Sequence, residues 1–238
     1  MKIFAIISGL LLILISCEHK PSDVVGNTSE VPNAFVRGRL LNRNGTPAKR
    51  ATVRVYTIRH NPQTGLGKAL AALDTAVTND SGIFTFDTLP ADTFNIFGDS
   101  GTSLSYADSI PVGADTVVIP PDTLKAPGSL AGTIQLRSGD DPRKVLALFF
   151  GSTAYALPDS QGRFTLSNLA AGQYSVRFLP SGNIDYAVLD TSLTIHSGQT
   201  DTVVIKLKFT GIPTPTGLKI AYDTLQQIVT LTWNREDT

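Results

Sequence analysis

Few residues of the chain combine the type and the spacing that catalysis or metal binding requires. The three histidines are His19, His60 and His196, and none has the HExxH or His-x-His spacing that places two imidazoles on one metal ion. Asp140 and Asp141 are adjacent, and we expect them in a solvated turn because neighbouring strand residues point to opposite faces. The sequence has no GxSxG nucleophile elbow, phosphate-binding loop or GxGxxG turn. We therefore predict no catalytic, cofactor-binding or metal-binding residue, and a protein that is not an enzyme.

Cys17, the only cysteine, has a more specific chemical assignment. It follows Lys2 and an almost wholly apolar run, residues 3–15, which is shorter than the about 20 residues of a membrane span and typical of a signal-peptide core. Residues 14–17 (LISC) closely resemble the bacterial lipobox, in which the signal is cut before a cysteine that is then acylated. The resemblance implies membrane lipid as the partner of Cys17. The alternatives are a buried strand or helix for the apolar run and a free, buried cysteine.

The residues after Cys17 and the overall charge bear on location and partners. Residues 18–33 are polar and contain Pro, Gly, Ser and Asn, which predicts a flexible tether. In lipoprotein sorting of the enteric-bacterial type, Asp directly after the cysteine retains the protein at the inner membrane. Because that position is Glu18 here, the resemblance favours the outer membrane or cell surface. The 20 basic and 20 acidic residues give zero formal charge, and hence no basic field for nucleic acid. The partners we expect are membrane lipid, and glycans or other envelope proteins.

Four tyrosines are candidates for contact with a glycan, because an exposed aromatic ring can stack on a sugar: Tyr56, Tyr106, Tyr155 and Tyr186. The alternative for each is a place in a core or in a cross-strand pair, which is the usual role of a strand tyrosine.

An internal repeat defines the elements that would position these residues. Gly82, Phe84, Phe86, Leu89 and Phe94 recur with the same offsets as Gly162, Phe164, Leu166, Leu169 and Tyr174. Each copy ends on the pentapeptide DTVVI, at residues 115–119 and 201–205. Only three of the 20 acids are glutamates, and aspartate favours turns where glutamate favours helices. Many Asp-Thr steps stand near the predicted strand starts, where they suit turn capping.

The repeat predicts a meander of strands in each copy. Opening strands are expected over residues 35–41 and 129–136, with Gly38 and Gly132 inside them. Residues 52–56 alternate as a half-buried strand, whereas their counterpart 145–150 is uniformly apolar and is expected to be buried on both faces. Turns at 79–82 and 159–162 use Asn or Asp followed by Gly. Residues 68–73 are a candidate helical turn.

The pattern resembles the carboxypeptidase regulatory-like family over residues 34–208. The residues that carry the resemblance in the first copy are Gly38, Gly45, Pro47, Val53, Val55, Asp80, Gly82, Phe84, Phe86 and Leu89. It implies small transthyretin-like β-sandwiches, also grouped with starch-binding-like folds, whose members serve as spacers, adhesin stalks or sugar binders. Pilin-type relatives form Lys–Asn isopeptide bonds assisted by a buried carboxylate, often Glu. Because residues 34–208 contain no Glu, we expect no such crosslink.

The C-terminal residues resemble the start of a fibronectin type III domain. The matching residues are Pro213, Pro215, Gly217, Leu218, Ile220, Val229, Leu231 and Trp233, the only tryptophan. Such a domain needs roughly 100 residues, and a two-stranded hairpin alone is marginally stable. We therefore expect a truncated third module. The alternative is a terminal hairpin that packs back on the second copy.

The prediction is an all-β chain of tandem small antiparallel β-sandwiches after a lipoprotein signal peptide. Its parts are a signal peptide at 1–16, a tether at 17–33, sandwiches at 34–126 and 127–209, and a truncated fibronectin-like start at 210–238. The predicted function is a non-catalytic, lipid-anchored stalk or interaction scaffold of the bacterial cell envelope. The alternative is a carbohydrate-binding surface module.

Overall fold

The computed structural model describes residues 34–63, 72–182, 184–212 and 216–234. The predicted signal peptide, Cys17 and the tether lie outside these residues, as does most of the helical turn predicted for 68–73. The described residues form two β-sandwiches and a hairpin, which confirms the all-β class and the tandem sandwiches.

The first sandwich contains the strands β1 (Ala34–Leu41), β2 (Thr52–Thr57), β3 (Asp74–Val77), β4 (Ile83–Leu89), β5 (Asp92–Asp99), β6 (Leu104–Val112), β7 (Val117–Val118) and β8 (Asp122–Thr123). It packs a sheet of order β4-β1-β7 against a sheet of order β3-β2-β5-β6. Strand β1 is antiparallel to β4 and parallel to both β7 and β8, while every pair in the second sheet is antiparallel.

The second sandwich contains β9 (Gly128–Gln135), a 3₁₀ turn (Pro142–Lys144), β10 (Val145–Phe149), β11 (Tyr155–Ala156), β12 (Arg163–Leu169), β13 (Gly172–Pro180), β14 (Leu189–Ile195) and β15 (Thr200–Lys206). It repeats the topology of the first, with sheets of order β12-β9-β15 and β11-β10-β13-β14. Its closing strand β15 is again parallel to the opening strand β9. The sequence repeat is therefore a repeat of strand order and strand direction.

The repeated turns form as their residues dictate. In the first copy the Asn79 side chain accepts hydrogen bonds from the Ser81 and Ile83 amides. In the second copy the Asp159 side chain accepts the two equivalent hydrogen bonds, from the amides of residues 161 and 163. The glycines that follow, Gly82 and Gly162, have φ of +73° and +78°, which disfavours any residue with a Cβ. A Cβ on either would also collide with a carbonyl oxygen of the opening strand.

Each sandwich has its own core, and the predicted inward residues lie in it. Phe94 and Tyr174 are almost fully buried, and all five residues of β10 are buried, as predicted for a strand covered on both faces. Gly38 and Gly132 lie under the rings of Phe84 and Phe164, where a Cβ would overlap the ring. The opening strands therefore need glycine where they pass beneath an aromatic side chain.

The C-terminal hairpin consists of β16 (Thr216–Asp223) and β17 (Ile228–Asn234). Its register pairs Ile220 with Leu231 and Tyr222 with Val229, so that these side chains share one face. Every side chain of the hairpin whose burial is described is exposed, including Trp233 at 56%. The hairpin thus does not pack back on the second sandwich. Within the described residues, no helix is long and apolar enough to cross a membrane.

Candidate functional site: the joint between the sandwiches

The four candidate tyrosines do not form one platform. Tyr155 lies on the short strand β11 and is 42% exposed. Tyr186 is buried at another part of the second sandwich, where its hydroxyl donates to Asp140 and accepts from the Arg137 amide. Tyr56 and Tyr106 both contact Phe97 on the first sandwich. Contact of any of the four with a glycan stays a prediction.

Tyr56 and Tyr106 lie where the two sandwiches meet, a surface that we call the joint. On β2 and β5 the residues Val53, Val55, Phe94 and Ile96 face the first core. Alternation along a strand turns the intervening residues to the outer face of the same sheet. That outer face carries Tyr56, Asn95 and Phe97 on β2 and β5, and Tyr106 is paired with Phe97 across β5 and β6. The sheet therefore has a second apolar surface, which the second sandwich covers.

An aromatic stack joins the two sandwiches. The Tyr106 ring stacks on Phe97 and on Tyr174 of β13, with centroid distances of 4.6 and 4.7 Å and interplanar angles of 19° and 16°. The Phe97 and Tyr174 centroids are 6.4 Å apart, so the three rings form one cluster. Phe97 and Tyr106 thereby pack against the core of the second sandwich. Stacked pairs at such distances contribute about 0.5–1.5 kcal/mol each beyond the burial of their area. Burial, followed by the nearby Asp108 carboxylate, raises the pKa of Tyr106, whose hydroxyl donates to Asp108.

Polar contacts fix the same joint. Asn95, 3% exposed, donates from Nδ2 to the Gly151 carbonyl at 3.3 Å and accepts from the Ser109 amide at 3.0 Å. The Gly151 amide donates in turn to the His60 carbonyl at 2.9 Å. Asn95 is thus satisfied by one partner from each sandwich, as a buried amide requires.

Two glycines of the second sandwich permit this close approach. Gly151 has φ +68°, and a Cβ there would meet the Asn95 side-chain amide. A Cβ at Gly172 would overlap the ring of Tyr106. Sequence reasoning missed the contact role of both glycines, because the surface that they approach belongs to the other repeat.

His60 lies beside Tyr56, with ring centroids 5.0 Å apart. Its Nε2 is buried and has no hydrogen-bond partner among the described residues. Burial lowers the pKa of His60 below its usual value, so the neutral imidazole is favoured at the joint.

A cavity of about 220 Å³ opens at one side of the joint. The first sandwich contributes Arg54, Tyr56, Phe97 and Asp99 to its lining, and the second contributes Tyr174, with further residues of both. Arg54 and Asp99 form an ion pair with 3.7 Å between Nη1 and Oδ2. Tyr174 is satisfied by donating to the Ala170 carbonyl at 2.9 Å.

Acidic residues of the predicted turns have structural partners. Asp141 accepts from the Arg143 amide and pairs with its guanidinium, which lowers the pKa of Asp141, so it caps the 3₁₀ turn as a solvated acid. Asp74, Asp92 and Asp122 each accept the amide of the following threonine, which is the capping predicted for the Asp-Thr steps. Among the described residues, no three His, Cys, Asp or Glu side chains group as metal ligands.

The joint could have been suspected from the sequence. Strands β2 and β5 carry large apolar or aromatic residues on both alternating sets of positions, which is more than one core needs. The surface that covers this second set could not be predicted, because the repeat pattern gives the contacts within each sandwich and not the contacts between the outer faces of the two.

No protein-family model matches the chain, and no curated protein matches its sequence. Among solved structures, the minor pilin GBS52 of Streptococcus agalactiae is similar at 18% identity, with a TM-score of 0.37, over 76% of this chain and 98% of that one. A streptococcal ancillary pilin is similar at 13% identity and TM-score 0.34, over 75% of this chain and 63% of its own. The Bacillus anthracis TIE protein matches at 14% identity and TM-score 0.33, over 87% of this chain and 42% of its own. At this identity and TM-score, such likenesses say nothing about ligand or activity.

Proposed function

We propose that the chain is a non-catalytic, lipid-anchored protein of the bacterial cell envelope whose two sandwiches form a stiff stalk or interaction scaffold. The observation that carries the proposal is the joint, because a stalk must hold its modules in one orientation. Its partners would be membrane lipid through acylated Cys17, and glycans or other envelope proteins. The outer membrane or cell surface is the expected location.

The connection between the sandwiches supports stiffness. Leu124 is fully buried in the first core, and Lys125 exchanges two backbone hydrogen bonds of 2.8 Å with Leu104. Strand β9 begins at Gly128, so only residues 126 and 127 lie between, and the Ala126 carbonyl accepts from Ser197 of the second sandwich. Such a short, bonded connection lacks the length and free rotation of a flexible linker.

The aromatic stack supports the same conclusion. Inter-domain motion is the default unless an interface is large and hydrophobic. Here Tyr106 stacks on one ring of each sandwich, and Asn95 is hydrogen-bonded to both sandwiches. Rotation of one sandwich would separate the rings and leave a buried amide unpaired, which opposes the motion.

The anchor and the third module are the remaining parts of the proposal. The lipobox resemblance at residues 14–17 supports acylation of Cys17. The hairpin of β16 and β17, with apolar side chains on one face, has the pattern of two strands of one sandwich sheet. We propose it as the start of a fibronectin type III-like module. The domain limits proposed are 1–16, 17–33, 34–126, 127–209 and 210–238.

Stiffness can be tested by measuring the distance between the sandwiches. Cys17 is replaced by serine, and spin labels are placed on cysteines at the exposed positions Asp87 and Thr165. We expect one narrow distance distribution, which broadens in Tyr106→Ala and stays narrow in the control Tyr155→Ala. A broad distribution in the parent chain would contradict a stiff stalk.

Anchoring is tested separately by fractionating cells that express the full chain. We expect the parent protein in the membrane fraction and Cys17→Ser in the soluble fraction, because a chain without acyl groups loses about 0.8 kcal/mol for each buried methylene. Retention of Cys17→Ser in the membrane would refute the lipid anchor.

A further inference from the structure

We infer that the outer face of the sheet β4-β1-β7 docks on the anionic phosphate groups of a lipid bilayer. This surface, which we call the basic face, is centred on Arg37 and Arg39 of β1. The inference rests on the proposed lipid anchor, which would hold the first sandwich beside a bilayer. It adds a contact of the folded protein that the acyl chains do not make.

The zero net charge of the chain conceals a separation of charge within the first sandwich. Residues 34–73 contain no acid and eight basic residues: Arg37, Arg39, Arg43, Lys49, Arg50, Arg54, Arg59 and Lys68. Residues 74–124 contain no basic residue and eight aspartates: Asp74, Asp80, Asp87, Asp92, Asp99, Asp108, Asp115 and Asp122. The second sandwich instead mixes both signs along its length. Strand β1 and the turn after it are therefore positive throughout.

Three of the basic residues are neutralised by aspartates, whereas those of β1 are not. The three ion pairs are Arg54–Asp99, Arg59–Asp92 and Lys49–Asp80. Among the residues that the structure describes, neither Arg37 nor Arg39 forms an ion pair with an acid. The Nε of Arg39 donates to the Ser81 carbonyl at 3.1 Å, which keeps its full charge. The two arginines thus carry positive charge that the protein does not cancel.

The strand register places uncharged residues beside both arginines. Arg37 lies opposite Thr85 of β4 and Val118 of β7, and Arg39 lies opposite an isoleucine of β4. Directly opposed residues are the ones that could neutralise a charge within a sheet. Arg37, Arg39, Thr85 and Val118 are all exposed, so the charge is presented to solvent. Asp87 of β4 is also exposed, but it pairs with neither arginine within the described residues.

The second copy shows that the fold does not need these arginines. When the copies are aligned on the glycine beneath each aromatic ring, Arg37 and Arg39 correspond to Ala131 and Thr133 of β9. Strand β9 pairs with β12 and β15 in the same directions as β1 pairs with β4 and β7. Strand formation therefore does not account for the two charges, which belong to the copy that follows the predicted anchor.

The basic face lies on the side of the first sandwich opposite the joint. The two sheets share one core, and the joint occupies the outer face of the other sheet, β3-β2-β5-β6. When the basic face rests on a bilayer, the second sandwich therefore points away from the membrane, as the proposed stalk requires. The predicted tether of residues 18–33 ends where β1 begins. A flexible chain of that length has an end-to-end distance of roughly 20–25 Å, which keeps the face within reach of the membrane.

A bilayer is the anionic partner that this geometry favours. It presents phosphates in a plane, as the sheet presents its arginines. Once the acyl chains are inserted, contact of the basic face becomes an intramolecular event, so that a few charges suffice.

The test measures vesicle binding by the mature chain, residues 17–238, with Cys17→Ser. This chain has no acyl group, so its failure to bind would not touch the proposed anchor. The probes are vesicles of phosphatidylcholine, vesicles of phosphatidylcholine and phosphatidylglycerol in equal parts, and soluble polyglutamate. We expect sedimentation with the anionic vesicles alone, abolished in about 1 M NaCl, where the Debye length is about 3 Å.

A variant that copies the second sandwich locates the surface. Arg37→Ala with Arg39→Thr should weaken binding to the anionic vesicles about fivefold for each arginine, or roughly 25-fold together. The matched control is Lys206→Ala with Lys208→Thr, which removes the same charge from exposed positions of the second sandwich and should bind as the parent does. Thermal unfolding of both variants checks that the fold is kept.

An environment-sensitive fluorophore gives a second readout that needs no arginine variant. It is placed on a cysteine at Thr85, on the basic face, or at the equivalent exposed position Thr165 of the second sandwich. We expect anionic vesicles to shift the emission at Thr85 to shorter wavelength and to leave Thr165 unchanged.

Several outcomes would overturn the inference. They are equal binding to neutral and anionic vesicles, an equal loss in the lysine control, an unchanged affinity in the arginine variant, and an emission shift at Thr165 instead of Thr85. Capture of polyglutamate without binding to vesicles would also overturn it, and would assign the basic face to an acidic protein partner.

Discussion

Single residues decide whether the two sandwiches can meet. Gly151 and Gly172 leave room for Asn95 and for the ring of Tyr106, respectively. Neither glycine serves the core of its own sandwich, in contrast to Gly132, which lies under Phe164. The sequence therefore holds two kinds of essential glycine. Those that contact their own sandwich recur at matching positions in both repeats and could be identified from spacing, whereas those that contact the other sandwich could not.

Gly151→Ala is expected to lower the free energy of unfolding by about 1–3 kcal/mol, because it places a Cβ at φ +68° and against Asn95. The matched control is Gly139→Ala, which has φ +93° and no heavy atom within 4 Å of the added Cβ. Chemical denaturation measures both. An equal loss in the two variants would mean that backbone strain alone acts, and that the contact with Asn95 does not matter.

His60 should make the stability of the protein depend on pH. Its pKa is lower in the folded than in the unfolded chain because burial disfavours the imidazolium. Below about pH 6.5 the unfolded chain therefore binds more protons, and stability falls as the pH falls from about 7 to 5.5. His60→Phe keeps a ring beside Tyr56 and should reduce this slope in denaturant titrations. An unchanged slope would assign the pH dependence to other groups.

At the scale of strands, the predictions that concern a single repeat are confirmed. The opening strands, the turns at 79–82 and 159–162, and the doubly buried β10 all form as expected. Strands β2 and β5 differ, since each packs a core on one face and the joint on the other. The alternation of residues predicts that each strand has two faces. Whether the outer face contacts the other repeat depends on how the whole sandwiches dock. The cavity is lined by residues of both sandwiches, so it could not be predicted from the sequence for the same reason.

The hairpin of β16 and β17 should contribute little to the stability of the sandwiches. Ile220 and Leu231 are 68% and 52% exposed, so Ile220→Thr with Leu231→Thr should change the free energy of unfolding of the sandwiches by less than about 0.5 kcal/mol. Val55→Thr, at a fully buried position of the first core, is the positive control. A large loss in the hairpin variant would show that its apolar face is covered in solution.

For the whole molecule, the joint makes two sandwiches with separate cores dependent on each other. Each core could in principle melt alone. However, unfolding the first sandwich removes Phe97 and Tyr106 from the surface of the second core and exposes Tyr174, so the loss of one destabilises the other. Coupling of this kind converts two independent transitions into one cooperative transition.

Calorimetry should therefore show a single unfolding transition for the parent chain. In the double variant Asn95→Ala and Tyr106→Ala, the stack and the amide contacts are lost while both cores keep their residues, and we expect two resolved transitions. The control Tyr155→Ala should still show a single transition, because that exposed side chain lies outside the joint. Two transitions in the parent would mean that the joint is too weak to couple the sandwiches, and the stalk would bend there. One transition in the double variant would instead place the coupling in the short, bonded connection at residues 124–128.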